Sequence, residues 1–307
     1  MRLNNAVTFA GYPVVEWSNK KEILQDDKPV AVAIRSGWDE NDQKSAWVDK
    51  FNTLLVHPRV HEIPALVIGM WHYDQTVRYI VDTLVANSAK LTGLKALFVG
   101  DITPEENEIS WIKQDDLSSL WEAFPNLEYL TIRGGTDLQL GQIKLHKLKV
   151  LRIETGGMSS EVVKSVGEAD FPELESLTLW LGTANYGGTV KIADLEPFYT
   201  CAKMPKLTYL GLCDSEIADA IAEFMATAPV LERLDVLDMS LGTLTDEGAL
   251  ALLTSPYVHK LRKLDLHHHF CSDAMVNKLK ELEQEGVQVD TSEVQRERDW
   301  RFVAVGE

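Results

Sequence analysis

The stretch "LRKLDLHHHFCSDAMVNKL", residues 261–279, admits two readings. Three consecutive histidines and a cysteine, His267, His268, His269 and Cys271, suggest a metal site. The leucines at 261, 264 and 266 suggest a repeat instead, and their offsets of one, four and six can be sought elsewhere. The pattern recurs at Leu231, Leu234, Val236; Leu207, Leu210, Leu212; Leu174, Leu177, Leu179; and Leu148, Leu151, Ile153. Further copies stand at Leu127, Leu130, Ile132; Leu94, Leu97, Val99; and Ile63, Leu66, Ile68. First positions run from 63 to 261 in seven steps averaging about 28 residues.

That period lies in the leucine-rich-repeat range. It predicts an α/β leucine-rich-repeat solenoid, a horseshoe with a parallel concave sheet and convex helices. Positions four and six of each unit point inward from a short strand, and strands of successive units stack side by side. "TVRYIVDTLVANSAKL" fits an outer helix with Val77, Ile80, Val81, Leu84 and Val85 on one face, and "SDAMVNKLKELEQEG" another, with Ser272 or Asp273 as N-cap and Gly286 as terminator. Residues 1–60 read as an N-terminal cap and degenerate first repeat, with Val32 and Ile34 inward and Trp47, Phe51, Leu54 and Leu55 along a helix. Residues 61–286 are the repeats, and 287–307 a last strand and capping tail, all as one continuous domain.

The phrases "GDITPEENEISWI" from Gly100, "RIETGG" from Arg152, "LWLGTANYGG" from Leu179, "LDMSLGTLTDEGALALL" from Leu237, "LDLHHHF" from Leu264 and the closing "RFVAVGE" form a specific set. Through them nearly the whole chain resembles an uncharacterised family of bacterial leucine-rich-repeat proteins, of the ribonuclease-inhibitor-like kind. The resemblance implies a bacterial, cytoplasmic protein and brings no established activity. It also suggests modification enzymes encoded nearby as first candidates for a partner.

Composition excludes several classes. A net charge of -17 over 307 residues without a basic run argues against binding nucleic acid or anionic lipid. No leader and no long apolar run is apparent, and three scattered cysteines without CxxC spacing suit a reducing cytoplasm. Neither a nucleophile elbow, a P-loop, an HExxH pair nor a dinucleotide fingerprint occurs, so no cofactor is expected. Strand alternation turns His267 and His269 to one side and His268 to the other, so the triplet does not converge on an ion. A metal would need a carboxylate or thiolate from a neighbouring turn, with Cys213, Asp214, Asp238 and Asp265 as candidates. His269 instead occupies position nine, where such repeats keep a side chain that satisfies backbone groups. No metal is expected.

Positions three, five and seven should face the open side of the sheet. They supply an apolar floor of Ala31, Ala33, Ala65, Val67, Ala96 and Phe98. Next come Tyr129, Arg133, Arg152, Glu154, Trp180 and Tyr209, a mixture enriched at binding hot spots. Arg233, Asp235, Lys263, Asp265 and His267 complete the row as a charge ladder. Glycines just beyond the strands, with the insertions "ITPEENEISW" and "GTANYGG", build one rim. The main expectation is therefore a non-catalytic scaffold that grips a protein or peptide on the concave face. The alternative is an enzyme or small-ligand sensor using that rim with Asp101, Asp238, His267 and His268.

Overall fold

Leucine spacing becomes strand register in the computed structural model, which describes residues 4–17, 28–37, 45–296 and 300–306. The parts of the expected cap and tail at 18–27, 38–44 and 297–299 lie outside the described residues. The chain divides within one strand into two compact units, residues 2–151 and 152–306. In both, a sequential and mostly parallel sheet is flanked by helices, a solenoid-like α/β repeat architecture.

In the N-terminal unit, strands β1 (Thr8–Phe9), β2 (Tyr12–Glu16), β3 (Ala31–Ile34), β4 (Ala65–Gly69), β5 (Ala96–Asp101) and β6 (Tyr129–Arg133) pair in chain order. All these pairs are parallel except β1 with β2. Val32, Leu66, Leu97 and Leu130 stand opposite one another, as do Ile34, Ile68, Val99 and Ile132, and all eight are buried. Each such side chain contributes about 1.5–3 kcal/mol by leaving water. Helices α1 (Ala46–Leu55), α2 (Arg78–Ala86) and α3 (Ser119–Ala123) bury the apolar stripes their spacing predicts, including Trp47, Phe51, Leu54 and Leu55 on α1.

The open face expected here is closed. Ala6, Phe9, Ala10, Tyr12 and Val14 pack on the floor of Ala31, Ala33, Ala65, Val67, Ala96 and Phe98. The β1–β2 hairpin turns through Ala10 and Gly11, whose φ angles of 49° and 81° produce a tight reversal. Asp101 then clamps the segment: its carboxylate accepts from the Ala6 amide at 3.0 Å, pairs with Arg35 and lies 3.9 Å from Arg133. A two-residue strand such as β1 leaves almost no periodicity, so the hairpin is not legible in the sequence.

Strand β7 (Val150–Glu154) contains the division between the units. In the C-terminal unit β8 (Ser176–Gly182), β9 (Tyr209–Ser215), β10 (Val236–Asp238), β11 (Lys263–Asp265) and β12 (Gln288–Asp290) are parallel and follow chain order. Leu177, Leu210, Leu237, Leu264 and Val289 form the inward row. One repeat is thus corrected: the register puts Leu237, not Leu234, opposite Leu210 and Leu264. The true unit is Leu234, Leu237, Met239, three residues beyond the phase expected from Leu231.

The helices here are α4 (Ser160–Glu168), α5 (Glu196–Thr200), α6 (Ala218–Ala226), α7 (Asp246–Leu253) and α8 (Asp273–Lys280). Ser272 caps α8, its hydroxyl accepting from the Met275 amide, and Gly286 ends the following 3-10 turn with φ 95°. Successive caps are also tied together. Asp219 in α6 accepts from the Thr245 amide and hydroxyl at 2.7 and 2.8 Å, and Asp246 in α7 accepts from those of Ser272, both at 2.7 Å.

The tail is threaded rather than simply packed. Asp214, Leu241 and His268, at position eight of three successive repeats, have φ of 53°, 68° and 58°. Non-glycine residues adopt this region only where surroundings compel it. The segment 302–305 crosses these turns in reverse order. His268 Nε2 donates to the Phe302 carbonyl at 3.2 Å, the Ala304 amide to Leu241 O at 2.8 Å, and the Val305 amide to Asp214 Oδ1 at 3.0 Å. Val303 and Val305 are buried.

Candidate metal centre

In-register pairing of β10, β11 and β12 sets Asp238 opposite Asp265 and Asp265 opposite Asp290. Alternation forces this: with Leu237, Leu264 and Val289 inward, the next residue of each strand must face the other way. Like charges directly opposite destabilise a sheet unless partners offset them. Here Asp238 Oδ2 accepts from the Tyr209 hydroxyl, while its Oδ1 accepts from the Ser240 amide at 3.0 Å. Asp265 divides its oxygens: Oδ1 accepts from His267 Nδ1 and Oδ2 from Lys263 Nζ, each at 2.7 Å. Asp290 Oδ1 accepts from the Ser292 hydroxyl at 2.7 Å, and its Oδ2 lies 3.9 Å from Lys263 Nζ.

Asp265, His267 and Asp290 each offer one ligand atom, and the three lie within 4.8 Å of one another. Burial opposes ionisation of Asp265, but hydrogen bonds from His267 and Lys263 prevail and lower its carboxyl to about 2. The bond to Asp265 raises the His267 imidazolium pKa against partial burial, and the same carboxylate raises Lys263. Two carboxylates and an imidazole are a mixed donor set suited to Mn, Fe or Zn rather than to a soft ion.

The other two histidines do different work. The left-handed φ at His268 breaks the alternation expected along the strand, so His269 does not share a side with His267. Fully buried, His269 accepts from the Cys271 amide at Nδ1 and donates from Nε2 to Thr291 O, and burial lowers its pKa. This is the backbone-satisfying role that position nine suggested. His268 accepts from Gln295 at Nδ1 and meets Phe270 and Phe302 edge-on. Burial raises the Cys271 thiol to about 12, and its Sγ faces Leu244 O.

Most of the expected hot spots are already engaged. In the N-terminal unit Arg133 stacks over Phe98 at 5.2 Å and donates to Ile102 O, both side chains being buried, and Tyr129 packs on the floor. Asp101 is likewise consumed within that unit. In the C-terminal unit Arg152 pairs with Glu154 and stacks at 5.2 Å over Trp180, which is only 1% exposed. Trp180, expected among the concave-face binding side chains, is a covered aromatic. Arg233 and Asp235 fall before β10 because of the phase correction. The Arg233 guanidinium donates to the carbonyls of Leu207, Cys201 and Met204 instead of joining a ladder.

The cluster overturns the expectation of a non-catalytic chain, since a buried Asp265 with His267 and Asp290 is able to coordinate a metal ion and so to support catalytic chemistry. Asp290 was the residue missed. Its signal was present in "GVQVD", where Asp290 occupies position five of the last strand, as Asp265 does in its own.

No protein-family model matches the chain, and no curated protein does. Among the described residues no helix is long and apolar enough to cross a membrane. An internalin from Listeria monocytogenes overlaps at a TM-score of 0.41 with 15% identity, covering 79% of this chain and 58% of the internalin, too little to carry an argument. A protein of Bacteroides fragilis, solved as a structural-genomics target, superposes with a TM-score of 0.83 and 30% identity over 94% of this chain. With 80% of that protein covered as well, the chain belongs to the same family as the Bacteroides fragilis protein.

Proposed function

We propose that the C-terminal unit is a metal-dependent enzyme unit whose centre is Asp265, His267 and Asp290. The observation that carries this reading is the convergence of one candidate ligand atom from each residue within 4.8 Å, with strand register fixing Asp265 opposite Asp290 and His267 just beyond β11. Asp265, His267 and Asp290 would hold a divalent ion, which would supply Lewis-acid activation of water or of a substrate oxygen. The chain's own contribution is orientation: Asp265 fixes the His267 ring through Nδ1, and Ser292 fixes Asp290. Asp238, opposite Asp265 on the neighbouring strand, offers a carboxylate beside the centre, and Tyr209, one strand further on, orients it through a hydroxyl hydrogen bond.

We infer further that the repeat is leucine-rich and ribonuclease-inhibitor-like, a reading supported by the recurrent leucines at positions one, four and six and by the helix-backed units. The test of the enzyme reading is calorimetric titration of untagged protein with Mn²⁺ and Zn²⁺, followed by a screen of ester, phosphoester and amide substrates. Micromolar, near-stoichiometric binding that is lost in Asp290→Asn and His267→Ala, together with metal-stimulated hydrolysis, is expected. Absence of binding in folded wild-type protein would refute the centre.

A further inference from the structure

Lys263 stands on the same strand and the same face as Asp265, two residues before it, while His267 follows two residues after. Its ammonium lies 2.7 Å from Asp265 Oδ2 and 3.9 Å from Asp290 Oδ2, between the two carboxylates that would ligate an ion. Among its described contacts Lys263 has no anchor besides these aspartates, and its side chain is 31% exposed, with solvent to swing into. A lysine is a compact point charge on a flexible stem, so it can leave without disturbing the strand.

We propose that Lys263 is a built-in counter-ion that occupies the cation position and sets which ions the centre accepts. The inference rests on the metal reading of the same site. An entering ion must displace the ammonium from Asp265 Oδ2. A monovalent ion exchanges one positive charge for another and gains nothing in attraction. A divalent ion gains a full charge against two carboxylates, so the exchange favours divalent cations. Without the lysine, Asp265 and Asp290 would repel each other across the strand pair, and the centre would bind Na⁺ and K⁺ as well. The residue therefore relieves like-charge repulsion when no ion is bound and enforces selectivity when one is offered.

The experiment compares wild type, Lys263→Met and Lys263→Arg by calorimetric titration with Mn²⁺ and Zn²⁺ in low and high KCl, after thermal melts confirm folding. Removing the ammonium should tighten Mn²⁺ binding about ten- to hundredfold, the range expected for losing a half-buried charge-assisted competitor, and should make that binding sensitive to KCl. Lys263→Arg should bind no more tightly than wild type. In wild type, Zn²⁺ should also raise the acylation rate of the Lys263 amine, a change that a purely structural lysine would not undergo. If wild type binds metal and Lys263→Met binds equally or more weakly, the counter-ion role is overturned and the metal centre stands. If no variant binds metal, the centre itself fails and the inference with it. If only Lys263→Met binds, the lysine fills the position permanently instead of selecting among ions, which overturns the selectivity role and, with it, the metal reading of the wild-type chain.

Discussion

Replacing Asp214 by Asn should make the C-terminal unit more stable at neutral and alkaline pH while leaving it unchanged in mild acid. The Asp214 carboxyl is wholly buried on a left-handed turn, and its Oδ2 has no hydrogen-bond partner. Burial outweighs the Val305 and Ala304 amides and raises its pKa from 3.8 to about 8, with Glu154 adding repulsion. The unfolded chain gives up this proton near pH 4, whereas the folded protein keeps it until pH 8. Across that window the native state binds more protons than the unfolded state, so stability falls as pH rises. Four units at 1.36 kcal/mol each amount to about 5 kcal/mol above pH 8 and about 4 kcal/mol at pH 7. Asparagine mimics the protonated acid and keeps an oxygen for the Val305 amide, which removes the penalty. Differential scanning calorimetry of both proteins from pH 4 to 9 should show curves that coincide in acid and diverge by about 10 °C or more at pH 8. Parallel curves, offset equally at every pH, would refute a raised Asp214 pKa and the desolvation argument behind it.

Trp180→Ala should cost about 3–5 kcal/mol, as for any fully buried indole, rather than selectively weakening a binding reaction; urea denaturation measures it. Gly182→Ala should destabilise by more than about 2 kcal/mol. Gly182 has φ 65°, and an added Cβ would lie 1.9 Å from Gly156 O, so a melt within 1 °C of wild type would contradict that packing. Deleting residues 300–307 exposes the core that Val303 and Val305 cover and should lower the melting temperature by several degrees, at about 1.5–3 kcal/mol for each large side chain.

What was legible in the sequence was the part that repeats. Leu177, Leu210 and Leu264 announce themselves by spacing, and their strands, flanking helices and most outward residues follow. Other features were not legible. One is phase where a competing leucine exists: Leu231 mimics a first position, and accepting it moved Asp238 out of the row it shares with Asp265 and Asp290. With the register restored the three aspartates align, and a charge ladder becomes a candidate site. Another is coverage. Period and alternation say that Phe98 and Trp180 leave the inward row, but not that a hairpin at residues 8–16 or the guanidinium of Arg152 lies on top of them. Such contacts join residues far apart in sequence, and no local pattern encodes them. The histidine triplet failed for a third reason, since alternation holds only while φ stays negative, and His268 does not comply.

The returning tail alters the order in which this unit can come apart. In a linear stack each repeat leans only on its neighbours, so the outermost one frays first, for the loss of a single interface. Here residues 302–305 double back over turns at 268, 241 and 214. Peeling away the last repeat therefore also strips a hydrogen bond from a strand three places inside. Nearest-neighbour dependence becomes a closed circuit, in which the periphery is tethered to the interior. The end of the unit that holds Asp265, His267 and Asp290 would otherwise be its loosest part. Stitched in this way, it inherits the rigidity of the middle, and the three side chains on and just beyond these short strands can keep their spacing.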